Sequence, residues 1–469
     1  MDIKRTISMH PVWVIVILTL LTRLPFLFNG YGVEEDSYGL VLTAQRMAET
    51  GVYEMSRAPG HPVQELILSR IPNAPDFVMN GLSMLFGMLA TIMFFLVMRE
   101  LRYPKPLLAA LLLMMMPVFY ISSTYTIDYV WALAFLMCAW WLLLKRRYLL
   151  TGLALGLAIG CRVTSVLFAV PLVVWLYMNG SPRNATKQMF LVGLSALIMT
   201  VLLFLPAWMV YGTDFFYTYP LPYPPLPKVF YKGTIGVFGV WGCVALAGAL
   251  LTMLCRCKKL QPAEVDPSRR GVLLFAILMI VMHLLLYLRL PEKSAFLIPA
   301  LPFLILLIHH YLVNEKSYAF WCALFLISPF FTSVQLADKD RGSISSPLAV
   351  NQIVAGQEVS LDFIYGPVIS DMTKRINKEH FVSKFIDNYQ KVNEKSVILC
   401  GFWMNHIELK MKQEDVANPL VVLAPGMSAE EIDRYQADSY KIYHLREQET
   451  YNRIKYNYFP EEQSSLFMK

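Results

Sequence analysis

Residues Asn29–Pro72 read NGYGVEEDSYGLVLTAQRMAETGVYEMSRAPGHPVQELILSRIP, and they lie between two apolar runs, Val12–Phe28 and Phe77–Met98. Each run is long enough to cross a bilayer. Two such spans need only a few residues between them, so a connection of this length is a working element. Its polar content is unusual: Glu34, Glu35 and Asp36 follow the first run directly, with Arg57, His61 and Glu65 further on. Carboxylates at a bilayer boundary are costly unless they are paired, hydrated or functional.

Working outward, the chain is 56% hydrophobic and only 16% charged, against about 25% charged in soluble proteins. This is the composition of an integral membrane protein. The net charge of +7 does not indicate a nucleic-acid partner, because the lysines and arginines cluster in short connections between apolar runs, the positive-inside pattern. Val12–Phe28 follows Lys4 and Arg5 without a small-residue cleavage site and is expected to persist as the first span. Four of the seven cysteines, Cys138, Cys161, Cys243 and Cys322, fall inside apolar runs, where they pack as small soft residues. Cys255 and Cys257 flank Arg256, and Cys400 is alone in the polar C-terminal part, so no disulfide framework is built there.

Further spans are expected at Leu107–Tyr120, Tyr129–Leu144, Met189–Val210, Ile235–Leu254, Val272–Leu288, Ala295–Tyr311 and Tyr318–Val334. Leu149–Met178 is interrupted by Gly160-Cys161-Arg162 and has basic residues at both flanks, so it is expected to enter and return, with Arg162 near the turn. That makes about eleven membrane segments. With the N-terminus inside, each cytoplasmic connection carries lysine or arginine, Arg256–Arg270 most of all, whereas Ile121–Asp128 on the other side has none. The acidic loop then faces outside, and so does a C-terminal portion, residues 335–469, opened by Asp338-Lys339-Asp340-Arg341. In it Ser396–Gly401 and Leu420–Gly426 read as buried strands, and Ser428 with Glu431 as a capping box. The expected fold class is a polytopic α-helical membrane protein, residues 1–334, with a small extracytoplasmic α/β domain.

An outward-facing enzyme acting on a lipid-linked substrate needs a carboxylate to take a proton, cations to hold phosphate and a shelf for the lipid. Within loop 29–76, Ser37–Thr50 places Tyr38, Val41, Leu42, Gln45 and Ala48 on one helical face suited to the interface, and Pro62–Arg70 offers a second such helix. Several features together resemble the GT-C glycosyltransferases, a superfamily that includes protein O-mannosyltransferases and the lipid A aminoarabinose transferase. These are the acid after the first span, Tyr38 two residues beyond Asp36, the Ala44…Gly51-Val52-Tyr53 stretch with its Pro-rich turn, and the segments Thr151–Arg162 and Leu290–Pro302. The resemblance covers about residues 10–335.

The resemblance implies a catalytic base among Glu34, Glu35 and Asp36, with Asp36 favoured by its spacing to Tyr38 and Glu35 second, and a further acid, Asp128, in the next external loop. Read from the residues alone, the triplet also reads as a set of solvated loop acids, and Asp128 equally as a helix N-cap before Tyr129. Arg162 needs an anion, which a phosphate or a carboxylate would supply equally. Arg289 and Lys293 flank Pro291-Glu292 and either clamp a donor phosphate or pair with Glu292. Arg57 and His61 either contact substrate or hold the loop in shape, and the aromatic and proline-rich stretch Tyr211–Lys232 is a membrane anchor or a substrate wall. His283, His309 and His310 show no metal-ligand spacing. Nothing requires a metal, although Glu34 and Asp36 form an acid-x-acid pair able to hold a divalent cation, Mg or Mn.

The expected activity is inverting transfer of a hexosyl or pentosyl group from a polyprenyl-phosphate donor to an extracytoplasmic acceptor, whether glycan, lipid or protein, in a bacterial or archaeal plasma membrane. A transporter or flippase of a lipid-linked sugar is the rival from another class; the absence of an inverted or parallel repeat argues against it. A non-catalytic scaffold is the third reading.

Overall fold

The computed structural model describes residues 11–216, 223–257, 267–336, 346–354 and 357–445. Asp338–Arg341, the centre of the Arg256–Arg270 connection and part of the Tyr211–Lys232 stretch lie outside the described residues.

Apolar sequence becomes helix throughout the first two thirds of the chain. α1 (Pro11–Arg23) leads to the loop helices α2 (Glu35–Thr50) and α3 (Pro62–Leu68), then to α4 (Asp76–Glu100), α5 (Pro106–Met114), α6 (Pro117–Ser122), α7 (Tyr129–Leu144) and α8 (Tyr148–Cys161). After a 3-10 segment, Val163–Phe168, come α9 (Ala169–Met178), α10 (Pro182–Tyr211), α11 (Leu226–Gly233), α12 (Ile235–Cys257), α13 (Pro267–Arg289), α14 (Leu301–Leu312) and α15 (Tyr318–Ile327). Five helices among the described residues are long and apolar enough to cross a membrane: α4, α10, most of α12 and α13, and Ser294–Leu312, which includes α14. The other apolar helices are shorter. This is an integral membrane protein, with one continuous core in which Trp131, Trp140, Phe275 and Phe303 are fully buried.

Two expected spans are corrected. Leu107–Tyr120 does not form one helix: it breaks between α5 and α6, because Pro117 has no N–H to continue the ladder and crowds the preceding turn. Tyr318–Val334 stops at Ile327. Ser328 Oγ turns away to accept from Gly242 N at 2.9 Å and to donate to Phe238 O at 2.5 Å, Pro329 follows, and Ser333 already begins a strand.

The interrupted Leu149–Met178 stretch forms two short apolar helices and doubles back on itself. Along α8, Gly152 packs on Ser195, Gly156 on Met199 and Gly160 on Leu203 of α10, so α8 and α10 run parallel. A Cβ at any of the three would lie within 2.6 Å of its neighbour. α9 runs back to meet the start of α10, where Tyr177 lies 3.2 Å from Thr186. α8 thereby carries Arg162 to the same end of the bundle as Asp128.

Beyond the helices the chain changes character. β1 (Ser333–Leu336), β2 (Ala349–Val354) and β3 (Gln357–Asp362) make an antiparallel sheet in the order β1-β3-β2. α16 (Pro367–Tyr389) leads to β4 (Ser396–Leu399), α17 (Met404–Glu414), β5 (Val421–Ala424), α18 (Ala429–Ala437) and β6 (Lys441–His444). These three strands form a parallel sheet, β5-β4-β6. Both strands read from the sequence are present, and α18 opens on the Ser428–Glu431 capping box. α2 does not lie free at an interface: Tyr38, Val41 and Leu42 are buried in a cluster with Leu68, Met79 and Leu409 of α17, while Ala48 is exposed.

Candidate active site

Four connections far apart in sequence bring their charges together at one end of the bundle. α2 supplies Asp36. Its first turn holds two acids, Glu35 and Asp36, where the helix dipole favours negative charge. Arg57 bridges Asp36 and Asp128, its Nη1 2.5 Å from Asp36 Oδ2 and its Nη2 2.5 Å from Asp128 Oδ1. Arg162 donates to the other Asp128 oxygen at 2.6 Å and lies over the ring of Tyr129, 4.2 Å from its centroid, with Phe296 also near. Lys293, from the turn after α13, places Nζ 2.5 Å from both Glu34 Oε2 and Asp36 Oδ2.

His61 completes the arrangement. Its Nε2 accepts from Arg57 Nε at 2.7 Å, and its Nδ1 lies 2.7 Å from Cys161 O, a carbonyl in the last turn of α8 with no helical partner. Burial pushes the imidazole down to about 4 against the pull of Asp128, so near neutral pH it is uncharged, donating from Nδ1 to Cys161 O. Glu65, fully buried, shapes the loop. It accepts from Ser56 N at 2.9 Å, Ser56 Oγ at 2.7 Å and His61 N at 3.0 Å, and also from Tyr53 Oη. Burial raises its carboxyl while those bonds pull it down.

The two aspartates differ in access. Asp128 has 1% of its side chain exposed and Asp36 has 32%. Burial raises both carboxyls, but the cations outweigh it: Lys293 and Arg57 hold Asp36, and Arg162 and Arg57 hold Asp128, well below the usual carboxylate range. Burial would lower the Arg57 and Lys293 cations, and the acids facing them push both up instead. The expected N-cap role of Asp128 is not found: its side chain makes no capping bond because both oxygens face arginines.

Other expected site residues fall elsewhere. Glu35 turns to the C-terminal part, accepting from Asn405 N at 2.5 Å. Tyr38, expected at substrate, stacks on His406 with centroids 3.8 Å apart and donates to Glu379 at 2.9 Å. It stands two positions after Asp36, about 200° around the helix, which turns it to the opposite side. Arg289 is exposed at the end of α13, and no ion pair among the described residues joins it to the cluster. Lys232 was not anticipated: its Nζ donates to Glu292 O and lies 3.9 Å from the Glu292 carboxylate, and burial beside Lys228 brings its ammonium down to about 8. Only its place at the end of an aromatic stretch, four residues after Lys228, marked it in the sequence.

No group of three or more His, Cys, Asp or Glu side chains among the described residues is arranged to hold a metal. The Glu34–Asp36 pair does not fit a divalent ion in this arrangement, since Lys293 Nζ sits between the two carboxylates. A cavity of about 420 Å³ lies on the far side of the α2 turn, against Tyr38, Asp76, Glu379 and His406 and away from the charge cluster.

Residues 57–209 match the family model described as dolichyl-phosphate-mannose-protein mannosyltransferase. An 80-residue stretch is 29% identical to GPI mannosyltransferase 1 of Kluyveromyces lactis; it is 17% of this chain and 20% of that protein, so the chain matches about one fifth of its relative's length. Over nearly its whole length the chain is similar in fold to ArnT from Cupriavidus metallidurans. Against the structure bound to undecaprenyl phosphate the TM-score is 0.54 at 12% identity, over 91% of this chain and 94% of that one. Against the apo structure it is 0.55 at 13% identity, over 92% and 88%. Family model and fold together make this chain similar to the GT-C membrane glycosyltransferases, the first over about a third of its length and the second in fold over nearly all of it.

Proposed function

We propose that the protein transfers a sugar from a polyprenyl-phosphate donor to an acceptor outside the cytoplasm, with Asp36 as the base. The observation that carries this is the alternation of two aspartates with Arg57, Arg162 and Lys293 at one end of the bundle. The likeness of the fold to a protein solved with undecaprenyl phosphate adds support. In the resting state the cations are neutralised by carboxylates. A donor phosphate draws Lys293 and the arginines to itself, because charge-assisted bonds to phosphate match those to carboxylate. Asp36, freed of Lys293, becomes more basic when substrate is present and remains the more accessible of the two aspartates.

The acceptor hydroxyl oxygen then attacks the anomeric carbon and its proton passes to an Asp36 oxygen. The bond from that carbon to the phosphate oxygen breaks, and the electron pair leaves on the polyprenyl phosphate, held by Lys293, Arg57 and Arg162. One displacement inverts the anomeric configuration. Asp128 keeps the two arginines in place and takes no proton. Lys293 supplies the positive charge, so transfer is expected to survive chelation of divalent cations. The topology proposed with it has about eleven segments, the acidic loop and residues 335–469 outside, and a plasma membrane as location.

The test is sugar transfer in proteoliposomes supplied with a panel of radiolabelled polyprenyl-phosphate sugars and acceptors, comparing the native chain with Asp36→Asn. Transfer by the native chain, lost in the variant with folding retained, supports the reading. A lipid-linked sugar that crosses the bilayer unconsumed overturns it in favour of a flippase.

A further inference from the structure

One helix of the C-terminal part touches both stretches that carry the aspartates. Arg375, in α16, is held by Asp371 at 2.8 and 2.5 Å and has 2% of its side chain exposed. Its guanidinium donates to Thr124 O at 2.8 Å and Thr124 Oγ1 at 2.8 Å, and to Phe26 O at 3.2 Å. Thr124 stands four residues before Asp128, and Phe26 stands at the exit of the first span. One turn along α16, Lys378 donates to Val33 O at 2.9 Å, the carbonyl just before Glu34. Thr126 N donates to Tyr31 O at 2.9 Å, tying the two stretches directly. Glu379 and Asn405 then grip Tyr38 and Glu35 on either side of Asp36.

Building on the glycosyltransferase reading, we infer that Arg375 and Lys378 are positioning residues: a splint that sets the distance between the strip holding Asp36 and the strip holding Asp128, and so the seat of Arg57 between them. A planar guanidinium carries five donors in a fixed fork, enough to hold Asp371 and these acceptors at once, whereas an ammonium has three on one freely turning nitrogen. Phe26 O, Thr124 O and Val33 O are backbone carbonyls, and only Thr124 Oγ1 is a side-chain acceptor, so the splint chiefly fixes main chain. Displacement of a reacting group by about 1 Å costs up to about a hundredfold in rate. The contact of Lys412 with Glu49, at 2.6 Å, also joins the C-terminal part to α2 but at its far end and in solvent. It reports on docking without touching either strip.

The experiment compares Arg375→Lys, Lys378→Met and Lys412→Ala in the full chain, reconstituted in proteoliposomes. It measures kcat and KM for the polyprenyl-phosphate sugar that the native chain consumes, and amide hydrogen exchange over residues 31–38 and 123–130. Arg375→Lys is expected to lower kcat by about tenfold to a hundredfold with KM within about threefold, and Lys378→Met by about tenfold. Exchange is expected to rise in both stretches together, by about tenfold, while Lys412→Ala changes neither quantity. Unchanged exchange in both stretches, or a rise confined to 367–389, overturns the splint. If Arg375→Lys does not fold, Lys378→Met decides by the same readouts. A native chain that consumes no donor sinks the glycosyltransferase reading, and the exchange result still decides the splint. If Asp36→Asn is inactive while both splint variants keep native kcat, the splint fails and the enzyme stands.

Discussion

The first turn of α2 has two sides with opposite fates. On one, Asp36 faces Lys293 and Arg57, a third of its side chain open to solvent. On the other, Tyr38 is buried against His406 and Glu379, and Glu35 binds the start of α17. Neighbouring acids in one sequence run thus meet opposed environments: side-chain cations on one side, and a backbone N–H on the other. Adjacent carboxylates are told apart by their partners and not by their spacing.

The largest effect should separate those sides. Asp36→Asn is expected to reduce transfer about a thousandfold, with Glu35→Gln within about threefold of native; the reverse order would break the comparison. Next comes the buried anchor. Arg162→Met leaves Asp128 with one arginine, and thermal unfolding should show a loss of about 3–5 kcal/mol. Arg162→Met with Asp128→Asn should lose less than the sum of the single changes, because the pair is coupled.

The pH dependence comes third. His61 titrates at about 4 in the folded protein against 6.5 in an ordinary histidine, so between those values the unfolded chain takes up a proton that the folded one refuses. The stability it contributes is intact above pH 6.5 and is lost as pH falls toward 4, by about 2–3 kcal/mol. Asp36, depressed by its cations, is fully ionised above its ordinary value and gives up its share only below about pH 4. An unfolding series in which His61→Gln abolishes the loss between pH 6.5 and 4 would sharpen the assignment; a series in which the loss persists would move it to another group. The smallest effect belongs to the docking side, where Glu35→Gln keeps an acceptor oxygen for Asn405 N and should cost under about 1 kcal/mol, read by limited proteolysis of the C-terminal part.

Much of this was written in local patterns. Membrane helices follow from apolar length, the return at Arg162 from basic flanks on both sides, and the capping box of α18 from two residues. Pro117 and Ser328-Pro329 were visible too, but hydrophobic run length outweighed the breaker that ends each helix. The acids and cations of the cluster were legible as residue types stranded at a membrane boundary. Which acid faces which cation was not, since Arg57, Asp128, Arg162 and Lys293 meet only when four connections converge. The roles of Glu35 and Tyr38 were hidden for a stronger reason. Their partners, Asn405, Glu379 and His406, stand more than three hundred residues away, and no periodicity spans that distance.

The three glycines of α8 make that helix a depth gauge. Gly152, Gly156 and Gly160 recur once per turn and let α8 press against α10 without Cβ atoms between them. The notch that each turn finds on α10 sets how far α8 rises, and with it the height at which Arg162 leaves the helix to meet Asp128. An alanine at Gly152, far below the charges, would act as a shim, lifting one rail of the ladder from the other and withdrawing the arginine from an anion it never touches itself.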